Sequence, residues 1–193
     1  TPARLADIFC ALEAAGAHNI NLVSPTPFVP AIIEALSRYK PHIPIVYNCG
    51  GYERVETLKR LEGLVDIYLP DLKYTDCALS LSLSGAEDYF DFAAPAVAEM
   101  VRQTGGAVFD ADGILQRGTV IRHLVLPGQT RASMAVLDFL KAYKDTALIS
   151  LMFQYTPMTD IPGYPTLSRR LTRRECEKVW AYMGACGFEN GDV

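Results

Sequence analysis

The sequence lacks the features that mark membrane-spanning and nucleic-acid-binding proteins. No uninterrupted apolar stretch in its 193 residues approaches the length of a membrane-spanning helix, about 18 residues. Positive charge is not in excess, since 18 Lys and Arg stand against 22 Asp and Glu, and like charges form no long block. A basic start followed by an apolar stretch, typical of a secretion signal, is also missing. We therefore expect a cytoplasmic protein whose partners include neither membrane nor nucleic acid.

Short motifs that carry well-known chemistry are absent as well. The chain has no G-x-S-x-G nucleophile turn, no phosphate-binding GxxxxGK[ST] loop, no HExxH and no GxGxxG after a strand. Its three histidines, His18, His42 and His123, do not stand at metal-ligand spacing. These absences exclude the commonest hydrolase, nucleotide-binding and zinc-site patterns.

Cysteine is scarce and widely spaced. The five cysteines are Cys10, Cys49, Cys77, Cys176 and Cys186, and no two of them form a CxxC pair. An odd, scattered set is typical of a reduced protein rather than of a disulfide framework. We expect Cys10, Cys176 and Cys186 to lie on helix faces in the core or just below the surface, and we predict no metal site from the residues of this chain.

What the sequence does contain is a regular alternation of helices and strands. An opening helix is followed by five predicted strands, at 18–23, 45–48, 64–69, 119–126 and 147–153, each leading to a helix. Asp112-Gly113 predicts a hairpin between short strands at 108–109 and 114–115. Thr172 with Glu175 predicts a capped last helix that buries Cys176, Val179, Trp180 and Met183. Strands separated by helices are expected to be parallel. A closed barrel of eight units needs about 250 residues, so this chain is too short for one.

Polar residues gather where the predicted strands end. They are Ser24, Thr26, Asn48, Cys49, Asp71, Lys73, Arg122 and Gln154. In parallel α/β folds, ligands bind at this carboxyl edge. Lys73 and Arg122 suit a carboxylate, and Asp71 suits an ammonium group or a cation. A zwitterionic or phosphorylated ligand fits this set, although ordinary solvated strand ends would look similar. Strand alternation places Arg122 and His123 on opposite faces, and we favour Arg122 as the inward one.

Five segments, read together, resemble a known family. In order they are HNINLVSPT, IVYNCGGYE, DIYLPDLKY, IRHLVLPG and SLMFQYTP, and they extend over essentially the whole chain. They resemble the radical S-adenosylmethionine proteins that are similar to pyruvate formate-lyase-activating enzyme. The resemblance implies a partial barrel of about six β/α units. It also implies reductive cleavage of S-adenosylmethionine at a 4Fe–4S cluster, yielding a 5′-deoxyadenosyl radical. A glycyl-radical enzyme as protein substrate and a flavodoxin or ferredoxin as reductant are the implied partners.

The resemblance also implies roles for the strand ends. Ser24 and Thr26 lie where relatives carry a Gly-Gly-Glu turn that binds the cofactor's amino group, and no glutamate is present in this turn. Asn48 and Cys49 replace an Asp-Thr pair near the methionine carboxylate.

The remaining strand ends match family positions to different degrees. Asp71 and Lys73 match an Asp-Leu-Lys motif in which the lysine binds that carboxylate, and Arg122 matches an arginine of the family's fifth strand. Gln154 stands near the place of a histidine.

The family's CxxxCxxC cluster motif is not in this sequence. It belongs after a first barrel strand that would precede the opening helix, so we expect an α/β partial barrel whose first strand is missing. We accordingly expect the fragment to lack the cluster and to be inactive. The alternative is a non-catalytic α/β scaffold or binding module. An unrelated barrel enzyme for a phosphorylated metabolite would need a Gly-rich loop at a helix N-terminus near the late strands, and Pro127-Gly128-Gln129 is too short in glycine for one.

Overall fold

A parallel sheet with helices packed against it forms the centre of the molecule. The structure is a computed structural model, and it describes residues 1–158, 160 and 163–188. The helices are α1 (Pro2–Ala14), α2 (Val29–Arg38), α3 (Val55–Lys59), α4 (Cys77–Ser84), α5 (Tyr89–Thr104), α6 (Thr130–Leu140) and α7 (Arg173–Ala185). The strands are β1 (Ile20–Val23), β2 (Ile45–Cys49), β3 (Ile67–Pro70), β4 (Val108–Phe109), β5 (Leu115–Leu124) and β6 (Leu148–Met152). Short 3-10 turns occupy Thr26–Phe28, Lys141–Tyr143 and Pro165–Ser168.

The strand order confirms the predicted α/β fold. Parallel pairing joins β1 to β2, β2 to β3, β3 to β5 and β5 to β6. The short β4 lies antiparallel to the first half of β5, as the Asp112-Gly113 hairpin signal predicts. The sheet is open, because β1 and β6 are not paired with each other within the described residues. This is a partial barrel of the predicted type.

One predicted boundary in the sheet is wrong. The sequence predicts a hairpin strand at 114–115 and a separate strand at 119–126, whereas the structure has one continuous strand, β5. Gly118 permits this, because its φ of 146° lets the chain stay extended while Ala107 lies close by. The first half of β5 therefore serves the hairpin, and the second half pairs with β6.

Two apolar clusters lie against the sheet and share one helix. The first includes Phe9, Ile32 and Tyr47, and the second includes Ile121, Leu137 and Val179. Helix α5 contributes residues to both clusters, so the two halves of the molecule are packed through it. No helix in the described part of the chain is long and apolar enough to cross a membrane.

The solvent exposure of several side chains differs from what the sequence predicts. Trp180 is 43% exposed although it was expected in the core, and only Val179 and Met183 of that face are fully buried. Cys10 is exposed on α1, because it lines an open surface groove beside Arg38 and Tyr39 at the end of α2, so its predicted burial is wrong. Cys176 and Cys186 are half-buried. The capping box of α7 is confirmed: the Thr172 hydroxyl accepts a hydrogen bond from Glu175 N.

Candidate functional site at the carboxyl edge of the sheet

The sheet register brings three of the predicted side chains together. Val23 is the register partner of Asn48, and a single parallel bridge joins Asp71 to Arg122 beyond the end of β3. Backbone hydrogen bonds continue this alignment, with Asp71 N donating to Cys49 O at 2.9 Å and Leu72 N donating to Arg122 O at 2.8 Å. The end of β2 and the residues that follow β3 therefore lie beside the carboxyl end of β5.

A charged centre forms at this point, which we define as Asp71, Lys73 and Arg122. Arg122 Nη2 lies 2.7 Å from Asp71 Oδ1, and Lys73 Nζ lies 3.0 Å from Asp71 Oδ2. Arg122 Nη2 also donates to Asn48 Oδ1 at 2.8 Å. All three charged side chains are partly exposed. Two cations against one carboxylate leave a formal charge of +1, so the centre is suited to an anionic group.

Two buried polar atoms in the charged centre lack a hydrogen bond within the described structure. The N–H groups of Arg122 are not aimed at Asp71 Oδ1 despite their closeness, so that oxygen accepts no hydrogen bond. Arg122 Nε likewise finds no acceptor. An unsatisfied buried donor or acceptor costs about 1–3 kcal/mol. Asp71 Oδ1 still has Arg122 Nη2 as an ionic partner at 2.7 Å, so Arg122 Nε is the donor of the centre that an added acceptor could satisfy.

The Tyr89 hydroxyl holds the backbone around the charged centre. It accepts a hydrogen bond from Lys73 N at 3.1 Å, and its proton is shared between Gly50 O at 3.0 Å and Asp71 O at 2.8 Å. Burial raises the pKa of Tyr89, which keeps the hydroxyl protonated. Helical spacing predicts Tyr89 only as an apolar position of α5 and carries no signal for its hydroxyl, so this role is not predictable from the sequence.

An acidic centre lies on the other side of β2, and we define it as Thr26, Tyr47 and Glu53. Glu53 is only 3% exposed. Its carboxylate accepts hydrogen bonds from Thr26 Oγ1 at 2.5 Å and from the Tyr47 hydroxyl at 3.3 Å. Burial raises the pKa of Glu53, although the hydrogen bonds from Thr26 and Tyr47 oppose that rise. The segment GGYE contains Glu53, but nothing in its spacing indicates that the side chain reaches Thr26.

Three other predicted site residues lie outside the charged centre as defined above. Ser24 is exposed, has a φ of 51° and donates its backbone N–H to Asn48 O. Cys49 is buried, and burial together with Glu53 raises the pKa of its thiol to about 12, so it stays protonated. Gln154 is exposed beyond the end of β6, and the structure shows no side-chain hydrogen bond from it to the charged centre.

Strand alternation separates Arg122 from His123 as expected. Arg122 faces the charged centre, whereas His123 is 3% exposed on the opposite face of β5. The His123 ring lies 2.7 Å from Leu72 O and 2.9 Å from Ser133 Oγ, which uses both nitrogens within the protein. His123 is therefore held inside the protein and does not face the charged centre.

A small cavity adjoins the charged centre. It has a volume of about 140 Å³ and is lined by Asp71, Lys73, Tyr74, Leu124, Leu126 and Met152. A larger cavity of about 510 Å³ lies between α1, β1 and α2 and contains none of the three charged residues. We place the candidate site at the smaller cavity, because a binding site combines apolar walls with converging polar groups.

The two cofactors implied by the resemblance fit these residues differently. The charged centre fits the amino-acid end of S-adenosylmethionine, because Lys73 and Arg122 can bind a carboxylate and the Arg122 Nε lacks an acceptor. A 4Fe–4S cluster requires several thiolates. Within the described residues no group of three His, Cys, Asp or Glu side chains could hold a metal, and Cys49 is a buried, protonated thiol. The described residues therefore do not fit a cluster.

Comparison with known proteins gives a fold relative and a sequence relative. A crystal structure of a domain of pyruvate-formate lyase-activating enzyme from Bacteroides vulgatus ATCC 8482 superposes with a TM-score of 0.64. The match covers 91% of this chain and 97% of that chain, at 13% sequence identity. This chain has the fold of that domain. Such low identity establishes the fold alone.

The sequence relative is an uncharacterised protein of Methanocaldococcus jannaschii. It is 33% identical over 164 residues, which are 83% of this chain and 44% of that protein. The chain thus spans less than half the length of the curated relative it matches. No known family's sequence model matches the chain.

Proposed function

We propose that this chain is the S-adenosylmethionine-binding part of a radical S-adenosylmethionine protein similar to pyruvate formate-lyase-activating enzyme. The observation that carries the proposal is the charged centre, with two cations on one carboxylate at the carboxyl edge of a partial barrel. The shared fold with an activating-enzyme domain supports it.

In this proposal the chain's own residues hold the amino-acid end of the cofactor. Lys73 binds the carboxylate, since its ammonium group is partly exposed and, among the described residues, pairs with Asp71 alone. Asp71 holds Lys73 and Arg122 at a fixed separation, and Tyr89 fixes the backbone that bears Lys73. The apolar walls formed by Leu124, Leu126 and Met152 exclude water beside the bound group.

The cluster ligands, the protein partners and the cellular location are further parts of the proposal. We assign the thiolate ligands of the 4Fe–4S cluster to sequence outside these 193 residues, because the described residues do not fit them. A protein substrate such as a glycyl-radical enzyme, a flavodoxin or ferredoxin reductant and a cytoplasmic location complete the proposal. The name of the structural neighbour supports the first, and the five free thiols support the last.

Equilibrium binding of S-adenosylmethionine tests the proposal. Isothermal titration of the chain should show saturable binding at one site, and Lys73→Met should weaken it about tenfold or more, because a charged hydrogen bond contributes about 1.5–3 kcal/mol. Lys144→Met is the matched control, since Lys144 is exposed and distant in the fold from the charged centre, and its affinity should equal that of the unsubstituted chain.

Two results would contradict the proposal. One is the absence of saturable binding by the unsubstituted chain at millimolar S-adenosylmethionine, which is the result that a non-catalytic scaffold predicts. The other is an equal loss of affinity in Lys73→Met and Lys144→Met. Thermal melts of both variants show whether each is folded in the titration.

A further inference from the structure

A basic stretch of the chain precedes and opens α7. Residues 169–178 contain five Lys or Arg and two Glu, a charge of +3, whereas the whole chain has a charge of −4. The rest of the chain therefore carries the difference, a charge of −7. Such a separation of charge produces a local positive potential, which attracts acidic groups to this part of the surface.

Three cations of this stretch have no counter-ion within the described structure. Arg170, Arg174 and Lys178 are exposed, and none of them forms an ion pair with an acid among the described residues. Arg174 and Lys178 also line a surface groove of about 390 Å³ that extends to Thr130 at the start of α6. These cations are therefore available to the carboxylates of another molecule, to which arginine can donate two parallel hydrogen bonds.

Glu175 connects this surface to the carboxyl edge of the sheet. Its carboxylate accepts hydrogen bonds from Gly128 N at 2.7 Å and from the two terminal nitrogens of Arg169 at 2.8 and 2.9 Å. Because Arg169 compensates its charge, Glu175 does not offset the three exposed cations. Gly128 lies between β5 and α6, so the hydrogen bond holds the start of α7 at the sheet edge where the candidate site lies.

The exposed side of α7 also bears an aromatic group. Trp180 is 43% exposed and follows Arg173, which pairs with Glu177, by seven residues, so the tryptophan and this arginine lie on one side of the helix. The ring centroid of Trp180 lies 6.3 Å from that of Phe153, the first residue after β6. Met152, the last residue of β6, lines the small cavity of the candidate site. The tryptophan therefore adjoins a strand end that also borders the site.

Exposed arginine together with exposed tryptophan is typical of a protein-binding surface. Both residue types are enriched in protein–protein interfaces and among the positions that contribute most to affinity. A long polyanion such as a nucleic acid fits this chain less well, because the charge of −7 on the other residues repels it. The acidic face of a protein instead presents carboxylates over a limited area, which matches the limited extent of the basic stretch.

We propose that the α7 surface, defined as Arg170, Arg174, Lys178 and Trp180, is a docking surface for the acidic face of a partner protein. The three cations bind carboxylates of the partner, and Trp180 packs against an apolar side chain that lies among them. This role does not depend on S-adenosylmethionine, because it uses no residue of the charged centre.

Fluorescence anisotropy with a defined acidic probe tests the proposal. The probe is a fluorescein-labelled, glutamate-rich peptide with two leucines at its centre, which stands for the acidic face of a partner. At low salt we expect saturable binding that Arg174→Glu and Trp180→Ala each weaken about tenfold. Arg60→Glu is the matched control and should leave the affinity unchanged. It changes the net charge equally, but Arg60 is exposed at the end of α3, beside the apolar cluster that contains Phe9.

Several results would overturn the proposal. They are the absence of saturable binding, an equal loss of affinity in Arg174→Glu and Arg60→Glu, and an unchanged affinity in Trp180→Ala. Tighter binding of a single-stranded oligonucleotide of the same charge would assign the surface to a nucleic acid. A dimer of the chain alone that Arg174→Glu dissociates in sedimentation equilibrium would assign it to a second copy. Should a thermal melt show that Trp180→Ala is unfolded, the exposed Arg174→Glu and Arg60→Glu pair still decides.

Discussion

At the scale of single residues, His123 shows how burial determines the protonation of a side chain. Its Nδ1 donates to Leu72 O at 2.7 Å, because a carbonyl oxygen only accepts, and its Nε2 lies 2.9 Å from Ser133 Oγ, which can donate to the neutral ring. Burial lowers the pKa of His123 to about 4. The ring is therefore neutral above about pH 4 while it connects β5, the segment after β3 and α6.

Stability should consequently decrease on acidification. The unfolded chain protonates this ring near pH 6.5 and the folded protein only near pH 4. The contribution of His123 is thus complete above about pH 6.5 and is lost as the pH falls toward 4, on the order of 3 kcal/mol in total. Urea unfolding at a series of pH values should show this slope. His123→Gln should flatten it and exposed His18→Gln should not, so an equal slope in His123→Gln would contradict the assignment.

At the scale of elements, the connection between β2 and α3 sets the geometry of the site. Gly51 has a φ of 80°, and a Cβ atom there would lie 2.1 Å from the backbone oxygen of Asp71. The turn therefore packs directly on the chain leaving β3, and this contact brings Glu53 toward Thr26 on one side of β2. A side chain larger than hydrogen cannot be accommodated without moving Asp71.

Gly51→Ala should therefore destabilise the fold far more than a left-handed glycine usually does. Gly16→Ala is the matched control, because Gly16 also has a φ of 80° but nothing lies within 4 Å of its added Cβ. We expect Gly16→Ala to cost about 1–2 kcal/mol from backbone strain, and Gly51→Ala to cost at least about 2 kcal/mol more from the clash. Urea midpoints measure both, and equal losses would show that the turn can move away from β3.

At the scale of the whole molecule, α5 unites the two apolar clusters. Ala96 and Met100 lie in the cluster with Phe9, while Val97 and Val101 lie in the cluster with Val179. Since successive faces of one helix fill both clusters, neither half can lose its packing without exposing part of the other. This arrangement favours a single cooperative unfolding transition.

Met100→Ala tests that cooperativity. The side chain is fully buried, so its truncation should cost about 2–5 kcal/mol. The sole tryptophan, Trp180 on α7, lies 6.3 Å from the ring of Phe153, which packs against the second cluster, whereas Met100 belongs to the first. Fluorescence and far-ultraviolet circular dichroism should therefore shift together to lower urea. A fluorescence transition that stays in place while the dichroism shifts would show that the halves unfold independently.

Much of the fold follows from local patterns in the sequence. Apolar periodicity located the helices and strands, and the Thr172–Glu175 pair located the start of α7, because these signals depend on neighbours a few residues apart. The prediction that Asn48, Asp71 and Arg122 meet was also accessible, since parallel strands align their carboxyl ends. Their roles in binding, like those of Ser24, Cys49 and Gln154, stay predictions, as does a further strand before α1.

The tertiary structure alone decided the rest. Glu53 reaches Thr26 across 27 positions of sequence, and the Tyr89 hydroxyl reaches Gly50 across 39. Trp180 and Cys10 are exposed because the side of a helix that a neighbour covers depends on packing, which periodicity does not specify. The sequence by itself thus determined which elements form and which strand ends meet. Only the folded chain decided which polar side-chain groups lie at those strand ends, since contacts between distant residues depend on how the elements pack.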